Sequence, residues 1–190
     1  MIQELLTTQN YVIISLVLGS FLLYKYTQTK DKLPLIHAAL ILWSGLIYTN
    51  FFYNFIPLET TYYVDWILST PLIVLAFGYT LTGGFTKKVL ENVLLQVMVI
   101  ATGFIALSSS QPLLWFGLGL VLMLTVFYNF VEMGAFKLQP VLSIVLIGSF
   151  SLYPYVWWVT SGNLLEASTL LIALPLVSKH LFSVLDVYFS

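Results

Sequence analysis

The sequence predicts an all-α bundle of seven membrane-spanning helices forming a single domain over residues 1–190, with the N-terminus outside and the C-terminus in the cytoplasm. Composition, seven long apolar stretches and a one-sided distribution of lysine carry that expectation. Hydrophobic residues make up 59% of the chain and charged residues 8%, whereas an ordinary soluble domain is about a quarter charged. The mean hydropathy is +0.96. A water-soluble globule of this size would not hide so much apolar side chain. The composition therefore excludes a soluble enzyme, a nucleic-acid binder and a disordered chain. The net charge of −1 offers no basic patch to a polyanion, and the absence of cysteine removes disulfides, thiolate metal sites and cysteine nucleophiles.

A membrane helix needs about 20 mostly apolar residues. Seven stretches qualify, at roughly 10–29, 33–55, 61–82, 88–108, 112–131, 138–160 and 164–188. Short turn-prone connections separate them: Thr29–Lys32, Pro57–Thr60, Gly83–Lys87, Ser108–Gln111, Glu132–Lys137 and Ser161–Asn163. The apolar runs are continuous rather than alternating, which argues against a transmembrane barrel. The first stretch reads as a retained span rather than a cleaved signal, because Glu4 and no basic residue precedes it and no small-residue cleavage site follows it. Lys25, Lys30 and Lys32 fall at the first connection, Lys87 and Lys88 at the third, and Lys137 at the fifth; the second, fourth and sixth carry no lysine. Positive charge stays on the cytoplasmic side, and this sets the expected orientation of a multi-pass protein of the cell membrane.

Ionisable groups within a span are costly and mark candidate functional positions. Lys179 sits near the middle of the seventh span. It reads either as a structural lysine paired with a carboxylate or as an amine that forms a Schiff base with a carbonyl cofactor. Asp65 lies in the half of the third span nearer its N-terminal end, and Tyr62, Asp65 and Ser69 share one helix face by their i, i+3, i+7 spacing. A lone buried carboxylate would protonate, but one beside a cation stays ionised, and Lys179 is the natural partner. His37 in the second span and Asp186 in the seventh lie at similar depth near the lysine-bearing end. Asp186 is two turns beyond Lys179, about 10 Å by helix rise. The pair reads either as two interfacial residues or as two groups facing one cavity.

Three segments carry a family resemblance. Tyr63 to Leu72 (YVDWILSTPL) resembles helix C of the microbial rhodopsins, Leu152 to Trp157 (LYPYVW) resembles helix F, and Leu174 to Lys179 (LPLVSK) resembles helix G. The resemblance covers essentially the whole chain. It implies all-trans retinal bound covalently to Lys179 as a protonated Schiff base. Within the family the chain is most similar to the xenorhodopsins, a group of light-driven inward proton pumps. Trp43 to Phe51 (WSGLIYTNF) resembles their helix B, and Pro175 stands where outward pumps usually hold a second aspartate.

By that resemblance, Asp65 is the counterion, and His37 and Asp186 are the cytoplasmic proton acceptors. Tyr62 stands where outward pumps have arginine, and the helix C triplet reads Asp65, Ser69, Ala76. Trp66, Thr70, Met98, Phe116, Met123, Phe150, Tyr153, Pro154 and Trp157 are expected to line the polyene, with Pro175 and Ser178 beside the lysine. Phe150 replaces the tryptophan more usual at its place. The resemblance further implies a homo-oligomer, often a trimer in this family.

The residues themselves bear on direction. Ala76, three turns from Asp65 toward the lysine-bearing end, cannot donate a proton. Tyr62 supplies no charge, and Glu166 is a lone acidic candidate at the opposite end. These residues agree with the activity that the resemblance implies, light-driven inward proton transport. A photosensor of the Anabaena type, which also has proline before the lysine, is the second reading, and a colourless seven-helix channel or scaffold the third.

Overall fold

The computed structural model describes the backbone of residues 2–190 and the side chains of all of these except residues 2–6 and Glu59. Seven helices are long and apolar enough to cross a membrane, and they run Thr7–Thr29, Lys32–Tyr53, Thr60–Thr82, Lys87–Ser108, Pro112–Glu132, Pro140–Val159 and Leu164–Phe189. Backbone polar groups find no partner in lipid, so a spanning chain must satisfy them within helices. An odd number of crossings puts the two termini at opposite ends of the bundle. Consecutive spans one to five pack as neighbours, and the seventh closes the bundle against the first, second and sixth.

The expected boundaries hold to within a few residues, and the local chemistry of the turns explains where they fall. Asp31 caps the second span by accepting from the Leu33 N–H at 3.1 Å, and Thr86 caps the fourth by accepting from the Val89 N–H at 3.3 Å. Gly83 ends the third span at φ +71°, a left-handed conformation that suits glycine. The second span is not one regular helix. It breaks at Thr49 and resumes as a short turn, Asn50–Tyr53, and Asn50 ties the following loop down through both its amide and its carbonyl group.

The first and second spans approach closely at Gly45, where an added Cβ would lie 2.6 Å from the Cβ of Ser15. Small residues at such crossings let helices make the dispersion contacts that replace the hydrophobic drive in lipid. Apolar side chains at Ile13, Val17, Leu94, Leu113, Leu124 and Ile144 remain outward and exposed, as a lipid-facing surface requires.

The seventh span is the irregular one. A 3-10 turn at Leu164–Ala167 leads into the helix Ser168–Pro175. A π-helical turn occupies Leu176–Leu181, followed by the helix Phe182–Phe189. Pro175 has no N–H to give the carbonyl four residues earlier. That carbonyl, on Leu171, instead accepts a hydrogen bond from the Tyr48 hydroxyl at 2.9 Å. The second span thus repairs the defect in the seventh, immediately before Lys179. Tyr48→Phe is expected to lower stability by about 1 kcal/mol, read as a lower thermal midpoint of the retinal-free protein in detergent. An unchanged midpoint would mean that the Leu171 carbonyl finds another donor.

Candidate functional site

Lys179 and Asp65 form an ion pair at the centre of the bundle, with both side chains fully buried. The seventh span supplies the cation from its π-helical turn, and the third supplies the carboxylate. Ser44 on the second span accepts a second hydrogen bond from the Lys179 Nζ at 3.0 Å. Tyr11 on the first span shares a 2.6 Å hydrogen bond with the same serine. Trp43 directs its indole N–H toward the backbone carbonyls of Val64 and Asp65, each at 3.3 Å, and so fixes the backbone that carries the carboxylate.

Two charges without water are stable only as a pair with further hydrogen bonds. Here the four spans one, two, three and seven contribute to that pair. One carboxylate oxygen, Oδ1 of Asp65, has no hydrogen-bond partner among the described residues.

Ser69 and Tyr62 are both fully buried on the same span as Asp65. The Ser69 hydroxyl donates to the backbone carbonyl of Asp65 at 2.8 Å rather than to its carboxylate. Tyr62 packs among aromatic rings, 5.9 Å from Trp66 and 6.3 Å from Tyr48 between centroids.

A cavity opens beside the ion pair, between the third, fourth, fifth and sixth spans. Trp66 and Tyr153 stand at its end nearest the pair, their rings 5.1 Å apart. Trp66 follows Asp65 in the chain. Tyr153 is hydrogen-bonded at 2.8 Å to Ser178, the residue before Lys179. Thr70, Phe116, Met123, Phe150, Pro154 and Trp157 complete the walls, together with residues of the fourth span. Phe116 stacks on Trp157 with centroids 4.4 Å apart and planes 11° from parallel. A long apolar group attached at Lys179 suits such a flat, aromatic-walled space, in which few polar atoms compete for it.

Met98 is the exception among the residues expected to line this cavity. It is 51% exposed on the outer face of the fourth span. Gln96, Val99, Ile100 and Gly103 face the cavity instead. Their i, i+3, i+4, i+7 spacing defines the inner face of that helix, and Met98 falls opposite it. That spacing was legible in the sequence and identifies Gln96, whose amide donates to Thr70 at 3.0 Å. Pro175 and Ser178 are buried on the seventh span near Lys179 and do not line the cavity.

A second polar centre lies toward the lysine-bearing end. His37 Nε2 and Asp186 Oδ2 are 2.8 Å apart, and both side chains are fully buried. Thr80, on the third span, donates to the other carboxylate oxygen at 2.7 Å. Burial rules out the interfacial reading of the two residues. Ala76 is fully buried in a small apolar cluster with Leu33 and Ile36. Glu166, at the opposite end, is exposed and accepts from the Asn163 amide at 2.7 Å.

The sequence reading missed Thr80, Ser44, Tyr11 and His180, all polar residues on inward faces. His180 lies 2.9 Å from the Ser15 hydroxyl and turns toward the first span, away from the Lys179–Asp65 pair. Asp65→Ala should lower the stability of the retinal-free protein by about 3–5 kcal/mol, because it strands the Lys179 charge. Ser44→Ala should cost only about 1 kcal/mol. Equal midpoints for the two variants in thermal unfolding would contradict this ranking.

The bacteriorhodopsin-like protein family matches residues 2–190. The chain is similar in structure to the inward H⁺ pump xenorhodopsin, with 26% identity, a TM-score of 0.86, and coverage of 98% of this chain and 92% of that one. It is also similar in fold to a cyanorhodopsin from the cyanobacterium Calothrix, with 19% identity, a TM-score of 0.87, and coverage of 99% and 95%. A light-driven proton pump from Leptosphaeria maculans gives 13% identity, a TM-score of 0.85, and coverage of 98% and 93%. A comparison with curated proteins by sequence returned no match. Seven apolar spans, a match along nearly the whole chain and these structural likenesses lead to one assignment: the protein is a multi-pass integral membrane protein that belongs to the bacteriorhodopsin-like family, the microbial rhodopsins.

Proposed function

We propose that this protein is a light-driven inward proton pump, with all-trans retinal on Lys179, Asp65 as counterion, and His37 with Asp186 as the cytoplasmic acceptor. The observation that carries this reading is the buried His37–Asp186 hydrogen bond at the lysine-bearing end, 2.8 Å long, set against the alanine at position 76. The lysine-rich connections favour that end as cytoplasmic, which leaves the N-terminus outside. The xenorhodopsin likeness, to a protein named as an inward H⁺ pump, supports the same direction.

Retinal linked to the Lys179 nitrogen supplies visible absorption and a light-driven reorientation of that nitrogen's N–H. Every other function falls to this chain. Asp65 balances the positive charge on the Lys179 nitrogen, and Ser44 and Trp43 hold the partners in place. Trp66 and Tyr153 close the cavity end beside the nitrogen and exclude bulk water. Thr70, Phe116, Met123, Phe150, Pro154 and Trp157 confine an elongated apolar group to one plane.

Net transport requires the proton to leave the nitrogen on one side and return from the other. His37 and Asp186 give it a polar destination toward the cytoplasm, about 10 Å from Lys179 by helix rise. That distance exceeds a single direct transfer, so water or a transient opening bridges it. The proton returns from the outer half, past Tyr62 and Asp65.

Two outcomes follow. Protein supplied with all-trans retinal should absorb in the visible, and Lys179→Ala should stay colourless; a covalently pigmented Lys179→Ala protein would refute the attachment site. In suspensions of expressing cells, illumination should make the medium more alkaline, and a protonophore should abolish the signal. Asp186→Asn and His37→Ala should slow or stop that change while leaving the colour largely intact. Light-driven acidification would reverse the direction. A normal photocycle with no pH change would favour a photosensor instead.

A further inference from the structure

The Asp186 carboxylate is held by two donors from two other spans. His37 Nε2 meets Oδ2 at 2.8 Å, and the Thr80 hydroxyl donates to Oδ1 at 2.7 Å. One donor on each oxygen is the arrangement that suits an acceptor-only carboxylate. With Asp186 ionised, a proton on His37 Nε2 completes that arrangement and leaves the other ring nitrogen as the basic one. That atom, Nδ1, is buried and has no hydrogen-bond partner among the described residues.

A buried ring nitrogen without a partner is costly to maintain. The Phe182 ring stands 6.0 Å from the imidazole between centroids. Two titratable side chains of this region are Tyr79 of the third span, packed with Val187 against the apolar cluster of Leu33, Ile36 and Ala76, and Lys25 of the first span. The Lys25 Nζ lies 3.3 Å from the carbonyl of Val187, one residue past Asp186.

We propose that Thr80 is a positioning residue which, through Asp186, fixes the polarity of the acceptor pair, so that the transported proton is received at Nδ1 of His37. This rests on the inward-transport reading and goes beyond it by naming the accepting atom and a third member of the site. The step balances without a co-reactant. An N–H bond breaks at the Lys179 nitrogen, the proton crosses by water, and an N–H bond forms at His37 Nδ1. The resulting imidazolium is neutralised by Asp186, whose two oxygens keep the same two donors. Loss of that proton to the lysine-bearing end restores the neutral ring. Thr80 never touches the proton; it prevents the carboxylate from rotating and the imidazole from exchanging tautomers.

The test uses pigmented full-length protein in lipid nanodiscs, with ¹⁵N-labelled histidine, and His37→Gln to assign the resonances against those of His180. In the dark, His37 should show a protonated Nε2 and a bare Nδ1. A protonated Nδ1 with a bare Nε2 in the dark would overturn the proposal. Thr80→Val should keep the colour, mix the two His37 tautomers and slow light-driven proton uptake roughly tenfold, as befits one lost charge-assisted hydrogen bond. Thr80→Ser should restore both the tautomer and the rate. A Thr80→Val protein with an unmixed tautomer, or a Thr80→Ser protein as impaired as the valine variant, would refute the positioning role. If Thr80→Val yields no pigment, the wild-type tautomer and the serine variant decide the matter. The dark spectra do not depend on transport, so a protein that moves no protons but shows the stated tautomer defeats the pump reading and leaves the polarity of the pair standing.

Discussion

The Lys179–Asp65 ion pair is the constraint on which the rest of the structure depends. Neither charge is tolerable alone at the centre of a lipid-embedded bundle. Together they commit the third and seventh spans to one depth and one rotation. The supporting residues follow from that commitment. Ser44 and Tyr11 satisfy the ammonium side, Trp43 anchors the backbone of the carboxylate side, and the cavity begins at the next residue, Trp66. A short set of polar contacts thereby fixes where an apolar cavity can open.

The seventh span meets that constraint at the expense of regular helix. Pro175 and the π-helical turn Leu176–Leu181 disrupt its ladder of hydrogen bonds around the lysine. A side chain from another span supplies one missing partner, Tyr48 at the Leu171 carbonyl. π-Helical turns are uncommon and concentrate at functional positions, and this one contains Lys179 itself. Beyond it the helix becomes regular again and delivers Asp186 to His37 and Thr80. The irregular turn and the regular segment after it divide the span into a half that carries Lys179 and a half that carries Asp186.

The two halves of the bundle are chemically unequal along its axis. On the lysine-bearing side, two polar side chains from two other spans converge on the buried Asp186 carboxylate group, while Ala76 leaves the neighbouring stretch of the third span apolar. On the opposite side the region beyond Asp65 is aromatic, built from Tyr62, Tyr48 and Phe51, and the acidic residue Glu166 is exposed to the surroundings.

The sequence by itself determined the number of spans, their limits and the outstanding charges, because the membrane imposes a length and a polarity that leave a direct mark on composition. It also singled out Lys179, Asp65, His37 and Asp186, since a charge or an imidazole in an apolar run stands out whatever the packing. Threonine, serine and tyrosine do not stand out in this way. Most hydroxyl groups here bond their own helix, as Ser69 does with the Asp65 carbonyl, and nothing in the chain distinguishes Thr80 or Ser44 from them. Met98 shows the related limit for apolar residues: methionine suits a cavity wall and a lipid-facing surface alike, and helix rotation put it outside. Only the tertiary structure decided which hydroxyls cross to another span, that Pro175 would be repaired by Tyr48, and that both oxygens of Asp186 would be engaged. Those outcomes depend on the rotation and depth of one helix against another, which the local pattern of a single helix does not encode.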